Sequence, residues 1–389
     1  GPAHRPDRGH DRRGWPVRLA LRELRRRPGR FAMATVILTL IALLLTFLGG
    51  LLDGLEQGST GALRLQDADA VVFAEGAEGS LVRSRIGEDV RAQVAAAVGD
   101  ADLGGLGSVQ LGGRLEGRGP RDLVPTVLFG YELAPTGLPE EPPADGEVIA
   151  DASLRSEGVE EGTILALGPA RTEVRVIGFV DDSRYAGQGS LWGSLDTWRE
   201  VLAASRPDAR AGEGTAQALV VRFPDGARVP DDLPDDIDEA TGGATDSYTL
   251  EGAIDALPGL AQQRSVFGQI IGVTVVIAIL VVALFFALLT VERTGLYGVL
   301  KALGAGSATI FSGVVLQAVV VTAIASAIGI AAAVTLDAVI PPGSIPFAVT
   351  PSRLVTSAVS LLVAAVVGCA FSLRRVLRVD PATAIGGAP

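Results

Sequence analysis

The chain has 389 residues, 48% of them hydrophobic, yet it carries a formal net charge of −11. The apolar residues collect into long uncharged runs and the acid gathers between two of them, which excludes a single soluble globule and points to a membrane class. One cysteine excludes an intrachain disulfide framework, and the two histidines, His4 and His10, leave the body of the chain without imidazole for triads, zinc or acid–base work.

The leader, residues 1–30, holds ten Arg against Asp7, Asp11 and Glu23. Val17, Leu21 and Leu24 recur there at helical spacing beside Arg18, Arg22 and Arg25. This pattern predicts an amphipathic helix on anionic membrane lipid, ended at Pro28-Gly29. Residues 31–52 are 22 uncharged positions, a first transmembrane helix, since roughly 20 apolar residues cross the hydrocarbon core. Residues 266–291 supply 26 more for a second. A 35-residue uncharged run, Ala302–Leu336, is too long for one upright span; the third is placed at 309–339 and the fourth at 354–373. The basic leader and Arg374, Arg375 and Arg378 of the tail, 374–389, put both termini in the cytoplasm of a multi-pass cell (inner/cytoplasmic) membrane protein. Residues 53–265 and the short loop 340–353 then face outward, and 292–308 inward. The outer segment carries 17 Arg against 38 acids, a balance that repels nucleic acid.

Within 53–265, Asp69–Phe73 reads as a strand, and Ile86, Val90, Val94 and Val98 as one stripe of a helix stopped by Gly99. Strands follow at Val109–Leu115 and at Leu123–Phe129, the latter pushed towards an edge by Pro125. A second cluster of strands begins at Gly146–Ala150 and continues through Thr163–Leu167 and Arg171–Val180. Ser194 caps a short helix over residues 195–202, and Ala216–Phe223 is a further strand. The expected fold class is an α-helical membrane protein of four spans with an α+β extracytoplasmic domain of two lobes, the β-rich second lobe (about 146–204) inserted into the first. The acidic run Asp231–Glu239 lacks the order of a calcium loop, contains Pro234 and follows Pro230, so it reads as a solvated loop. Around Gly187-Gln188-Gly189-Ser190, either a plain loop or an outer contact tip built on Tyr185, Leu191 and Trp192 fits the sequence. A P-loop is absent, because the chain's one lysine, Lys301, precedes Ala302.

One span, a large outer domain and three further spans are arranged around a short inner loop that contains Glu292-Arg293-Thr294 and Gly298-Val299-Leu300-Lys301-Ala302-Leu303-Gly304-Ala305. This arrangement resembles the FtsX/MacB-type ABC transporter permeases. Leu19–Leu24, Gly162–Leu167 with Val176–Val180, and Arg378–Ile385 are similar to the same family. The sequence departs from it at Gly295, Leu296 and Tyr297, and the ATPase fused to the MacB branch is not in this sequence. What the resemblance implies is a mechanotransmitter and not an enzyme by itself. A second permease copy or paralogue pairs with it, and ATP and Mg are bound by a separate ABC ATPase subunit. Residues 292–308 form the coupling helix, with Glu292, Arg293, Leu296, Val299, Leu300, Lys301, Leu303 and Gly304 against the ATPase. The outer domain works on a lipid, lipoprotein or peptide client, or activates a cell-wall hydrolase. No cofactor or metal belongs to the chain itself, and no nucleic acid is a partner. A passive membrane-anchored binding or sensor protein is the alternative of another class, and a secondary transporter would want inverted repeats and interrupted helices with polar midplane groups, neither of which is visible in the sequence.

Overall fold

The described residues, 28–119, 121–209, 212, 214–292, 299, 307–340 and 345–376 of a computed structural model, belong to two compact units. Those within 28–51, 266–339 and 347–376 form one unit, and those within 52–265 with 340, 345 and 346 form the other.

Helix α1, Pro28–Arg64, runs for 37 residues. It outlasts the uncharged stretch because residues 53–64 contain no Pro and keep Leu55, Ala62 and Leu63 at helical spacing. Next come β1, Ala70–Ala74, and α2, Glu88–Val98. The Val90, Val94 and Val98 stripe faces the sheet, and Gly99 ends the helix at φ 62°, whereas Ile86, expected in the same stripe, precedes the helix and forms a β-bridge with Ala216. Four strands succeed one another as β2, Asp102–Leu115; β3, Val124–Tyr131; β4, Glu147–Asp151; and β5, Ile164–Leu167. After β6, Thr172–Val180, and β7, Gly189–Ser194, the chain forms α3, Leu195–Ser205. The Ser194 hydroxyl caps α3, accepting the Thr197 N–H at 3.0 Å. The segment closes with β8, Ala218–Arg222; α4, Leu233–Ala240; β9, Thr245–Tyr248; and α5, Leu250–Asp255.

Helix α4 corrects the reading of residues 231–239 as a solvated loop. Pro234 stands in the first turn, where its missing N–H is not needed. Asp235 and Asp236 suit the positive end of the helix dipole, and Leu233 and Ile237 are buried against the sheet.

Six strands, in the order β2-β3-β7-β4-β6-β5, pair around a closed ring, because β5 returns to β2. The first half of β2 pairs instead with β8, and β8, β1 and β9 continue from it as an open antiparallel sheet. The division at residue 146 therefore does not describe this domain. Strands β2 and β3, assigned by sequence to the first lobe, complete the barrel. Five glycines in β2 (Gly104, Gly105, Gly107, Gly112 and Gly113) let a single 14-residue strand serve both sheets.

Inside the ring lie Val109, Leu128, Val148, Leu165, Val176 and Leu191, and α3 adds Leu195, Trp198 and Val201 to the same cluster. Glycines on the inner face make room for the indole: a Cβ on Gly107 would fall 2.5 Å from the Trp198 ring. Helices α2 and α4 cover one face of the open sheet over Val72, Leu219 and Val221. A third cluster joins Ala62 and Leu63 of α1 to Phe73, Phe129, Trp192 and Val220.

The other unit contains α6, Leu260–Glu292; α7, Ser307–Val339; and α8, Pro351–Val376. With α1 these are the four helices, among the described residues, long and apolar enough to cross a membrane. Small residues set their contacts. A Cβ on Gly329 of α7 would lie 2.9 Å from the Leu43 backbone nitrogen of α1, and one on Gly368 of α8 would lie 2.7 Å from the Ile279 carbonyl of α6. Buried side chains of all four helices, including Leu38, Ala278, Phe286, Ala318 and Leu361, form one cluster.

Candidate functional site

The residues expected to meet an ATPase begin where α6 ends. Glu292 is the last residue of α6 and is exposed; Val299 is helical and 58% exposed. Arg293, Leu296, Leu300, Lys301, Leu303 and Gly304 lie outside the described residues.

The expected contact tip is not exposed. Tyr185, Leu191 and Trp192 are 7%, 0% and 0% accessible. Leu191 and Trp192 belong to β7, whose edges pair with β3 and β4 and whose two faces lie in separate apolar clusters. Leu191 points into the ring, while the Trp192 indole stacks on Phe129 at 4.6 Å and donates its N–H to the Ser190 hydroxyl at 2.7 Å. Tyr185 packs edge-on against Phe129, and burial pushes its phenol up to about 12. These three aromatic and aliphatic side chains hold the domain together rather than offering it to a partner.

The functional feature that sequence reading passes over is a pair of helix stems. Residues 53–64 of α1 and 260–265 of α6 lie beyond the uncharged runs and belong to the sheet-bearing unit. Arg264 bridges the stems: its guanidinium donates to Glu56 at 2.5 and 3.3 Å, and also to the Asp255 carboxylate of α5. The hydrogen bonds to the Glu56 and Asp255 carboxylates raise the Arg264 pKa. Leu63 of α1 and Leu260 of α6 meet in the same apolar cluster. Opposite charges just beyond two apolar runs, at Glu56 and Arg264, are the sequence signal that would have found this pair.

A second ionic site ties α2 to the barrel. The Glu132 carboxylate accepts from Arg91 at 2.6 and 3.2 Å and from the Gly105 N–H at 2.7 Å. Burial alone would raise its pKa; the Arg91 and Gly105 hydrogen bonds, with the charges of Arg91 and Arg199, outweigh burial and lower it. On the outer wall of the barrel, a groove of about 410 Å³ is lined by residues including Gln110, Leu123, Pro169 and Arg206. Among the described residues, no group of three or more His, Cys, Asp or Glu side chains could hold a metal ion.

Residues 269–381 match the family described as FtsX-like permease C-terminal. An ABC transporter permease of Mycobacterium tuberculosis, itself named as uncharacterised, is 25% identical over 95% of this chain and 99% of its own. Another from Mycobacterium bovis is 27% identical over 95% and 99%. A Staphylococcus haemolyticus protein, HrtB, named as a permease of a hemin transport system, is 20% identical over the same shares. Most of α6, with α7 and α8, falls within that match, so the chain carries an FtsX-like permease C-terminal domain and, over nearly its whole length, is similar to proteins named as ABC transporter permeases, consistent with the FtsX/MacB type.

Proposed function

We propose that this chain is the permease subunit of an ABC transporter, lying in the cell membrane with both termini in the cytoplasm. It pairs with a second permease, docks a separate ATPase through residues 292–308, and passes ATP-driven motion to the domain between its first two spans. The observation that carries this reading is the pair of stems. The two helices that flank the domain continue into it, and Arg264 and Glu56 lock them together, so that a displacement of either moves both. Within the 292–308 segment, Arg293 and Lys301 supply positive charge, while Leu296, Val299, Leu300 and Leu303 supply an apolar ridge for a groove in the ATPase. Glu292 opens the segment, and Gly304 stands one residue before the end of its motif. ATP and Mg belong to that partner.

Helix α6 supplies the pairing surface. Its apolar window is 22% buried, the lowest of the four. Ile270, Val273, Ile277, Leu280 and Leu284 are exposed at alternating steps of three and four, the spacing of a helix-pairing seam. The small residues of α1 are engaged differently: Ala34, Ala42 and Thr46 are buried within the chain's own bundle. The absence of charge in the uncharged runs favours work on the outer face, on an amphiphile such as a lipid, lipoprotein or peptide, over passage of ions through the bundle. Hemin, which the name of the staphylococcal relative carries, is an anionic amphiphile and joins this class. Activation of a cell-wall hydrolase uses the same stroke.

Capture of an ATPase tests the reading. The full-length chain in mild detergent retains an ABC ATPase from its own cell membranes. Lys301→Glu and Leu303→Asp each weaken that capture about tenfold or more while leaving membrane insertion intact. Capture unchanged in both variants would remove residues 292–308 from the interface.

A further inference from the structure

The loop between β6 and β7 reaches α1 through its backbone. Gly187 N–H donates to the Gly58 carbonyl at 2.9 Å, Ala186 N–H to the Ser59 carbonyl at 3.2 Å, and Ala62 N–H to the Arg184 carbonyl at 3.1 Å. Thr60 and Tyr185 form an antiparallel bridge at the centre of this contact. In a regular helix the Ala62 N–H serves the Gly58 carbonyl. The loop therefore engages α1 at the groups that join one helical turn to the next. Gly61 makes the approach feasible. A Cβ there would fall 2.9 Å from the Arg184 carbonyl oxygen and 3.0 Å from its nitrogen, both backbone atoms with no room to yield. At Gly58, by contrast, a Cβ would meet the tip of the flexible Arg184 side chain at 3.6 Å, an ordinary contact.

The barrel holds the same loop from its other side. Asp151, at the end of β4 and 2% exposed, accepts the Ser183 N–H at 2.9 Å and the Ser183 hydroxyl at 2.7 Å. Its other carboxylate oxygen takes the Ser153 N–H at 3.0 Å. Asp182 and Ala186 stand at φ 54° and 51°. Such left-handed positions cost of order 1 kcal/mol or more in a non-glycine residue and persist where the surroundings over-determine them. The loop is fixed at both ends, and every residue in the contact belongs to the sheet-bearing unit.

We infer that the Asp182–Gln188 loop is a rigid coupling between α1 and the six-stranded barrel, with Gly61 and Asp151 as its positioning residues. The inference rests on the proposed transmission of motion and names where that motion enters the domain. The barrel follows α1 as one body through this backbone contact, so side-chain packing alone does not carry the load.

Spin labels at Gln57→Cys and Glu161→Cys, in the full-length Cys369→Ala chain in nanodiscs, read the distance from α1 to the barrel. One narrow distance distribution is expected, the same with and without ATP when the captured ATPase is present. Gly61→Ala and Asp151→Asn widen it about twofold or more, whereas Gly58→Ala leaves it narrow. Hydrogen exchange in β5 and β6 stays at wild-type protection in all three, which separates a loosened coupling from an unfolded barrel. If barrel protection is lost in one variant, the other decides; lost in both, the two residues hold the barrel itself and the inference falls. It also falls if Gly61→Ala and Asp151→Asn stay as narrow as wild type, or if the wild-type distance changes with ATP. Failure to capture any ATPase would end the permease reading alone, because the comparison without ATP still decides whether the coupling exists.

Discussion

Glu132 shows how single charges are used in this domain. Its carboxylate is half-buried, a position that disfavours charge, yet two Arg91 hydrogen bonds and one from Gly105 hold it below the ordinary glutamate value. A carboxyl depressed by folding contributes stability above its unfolded pKa and loses it as the pH falls through the folded one. The Glu132 contribution to thermal stability should therefore hold from neutral pH down to about pH 5 and be lost below the ordinary glutamate value of about 4.3, and Glu132→Gln should flatten that acid limb. Allowing for solvent screening of a pair about one-third exposed, the substitution should cost roughly 1 kcal/mol at neutral pH. An unchanged pH profile in Glu132→Gln would show that the Arg91 pair contributes nothing measurable.

At the scale of elements, glycine decides what the sequence discloses. The helical stripe ended by Gly99 and the α3 cap at Ser194 were legible because periodicity and cap chemistry agree there. Strand β7 was not, because Gly-Ser-Leu-Trp-Gly-Ser contains no β-branched residue and reads as a turn. Its place between two strands, which only the long-range pairing reveals, turns Leu191 and Trp192 inward and outward into two separate cores. Only residues 109–115 of β2 were legible, since glycines at 104, 105 and 107 mask its first half, the latter two while making space for Leu195 and Trp198 of α3. Helix α4 was hidden by Pro234 and the acids Asp235 and Asp236, all suited to a first turn. The barrel makes a direct prediction: Trp198, fully buried over Gly107 and Gly130, should cost about 3–5 kcal/mol when replaced by Ala. Chemical denaturation followed by near-ultraviolet dichroism reads this, and a loss under about 1 kcal/mol would mean that α3 adds little to the core of the ring.

For the whole molecule, the number of apolar helices and the sheet-rich insert followed from charge and hydropathy, whereas the stems did not. Hydropathy reports where charge stops, and α1 and α6 continue through Asp53, Glu56 and Arg264 because helix and apolar stretch have different ends. The proposed orientation rests on the distribution of Arg. Cysteines at Asp100 and Glu161 should react with an impermeant thiol reagent on intact cells, and cysteines at Ser307 and Ala382 only after permeabilisation, all with Cys369→Ala. Reaction at position 307 in sealed cells would invert the topology. The central claim is that two permeases meet along α6 and move there when ATP is used. Photo-crosslinking by benzoylphenylalanine, placed in turn along residues 266–291 of the full chain with its captured ATPase, measures it most directly. Adducts to a second permease, copy or paralogue, should peak at positions 270, 273, 277, 280 and 284 and change in yield when ATP is added. Adducts confined to the exposed face of α8, at positions 355, 359 and 363, or a pattern along α6 indifferent to ATP, would contradict it.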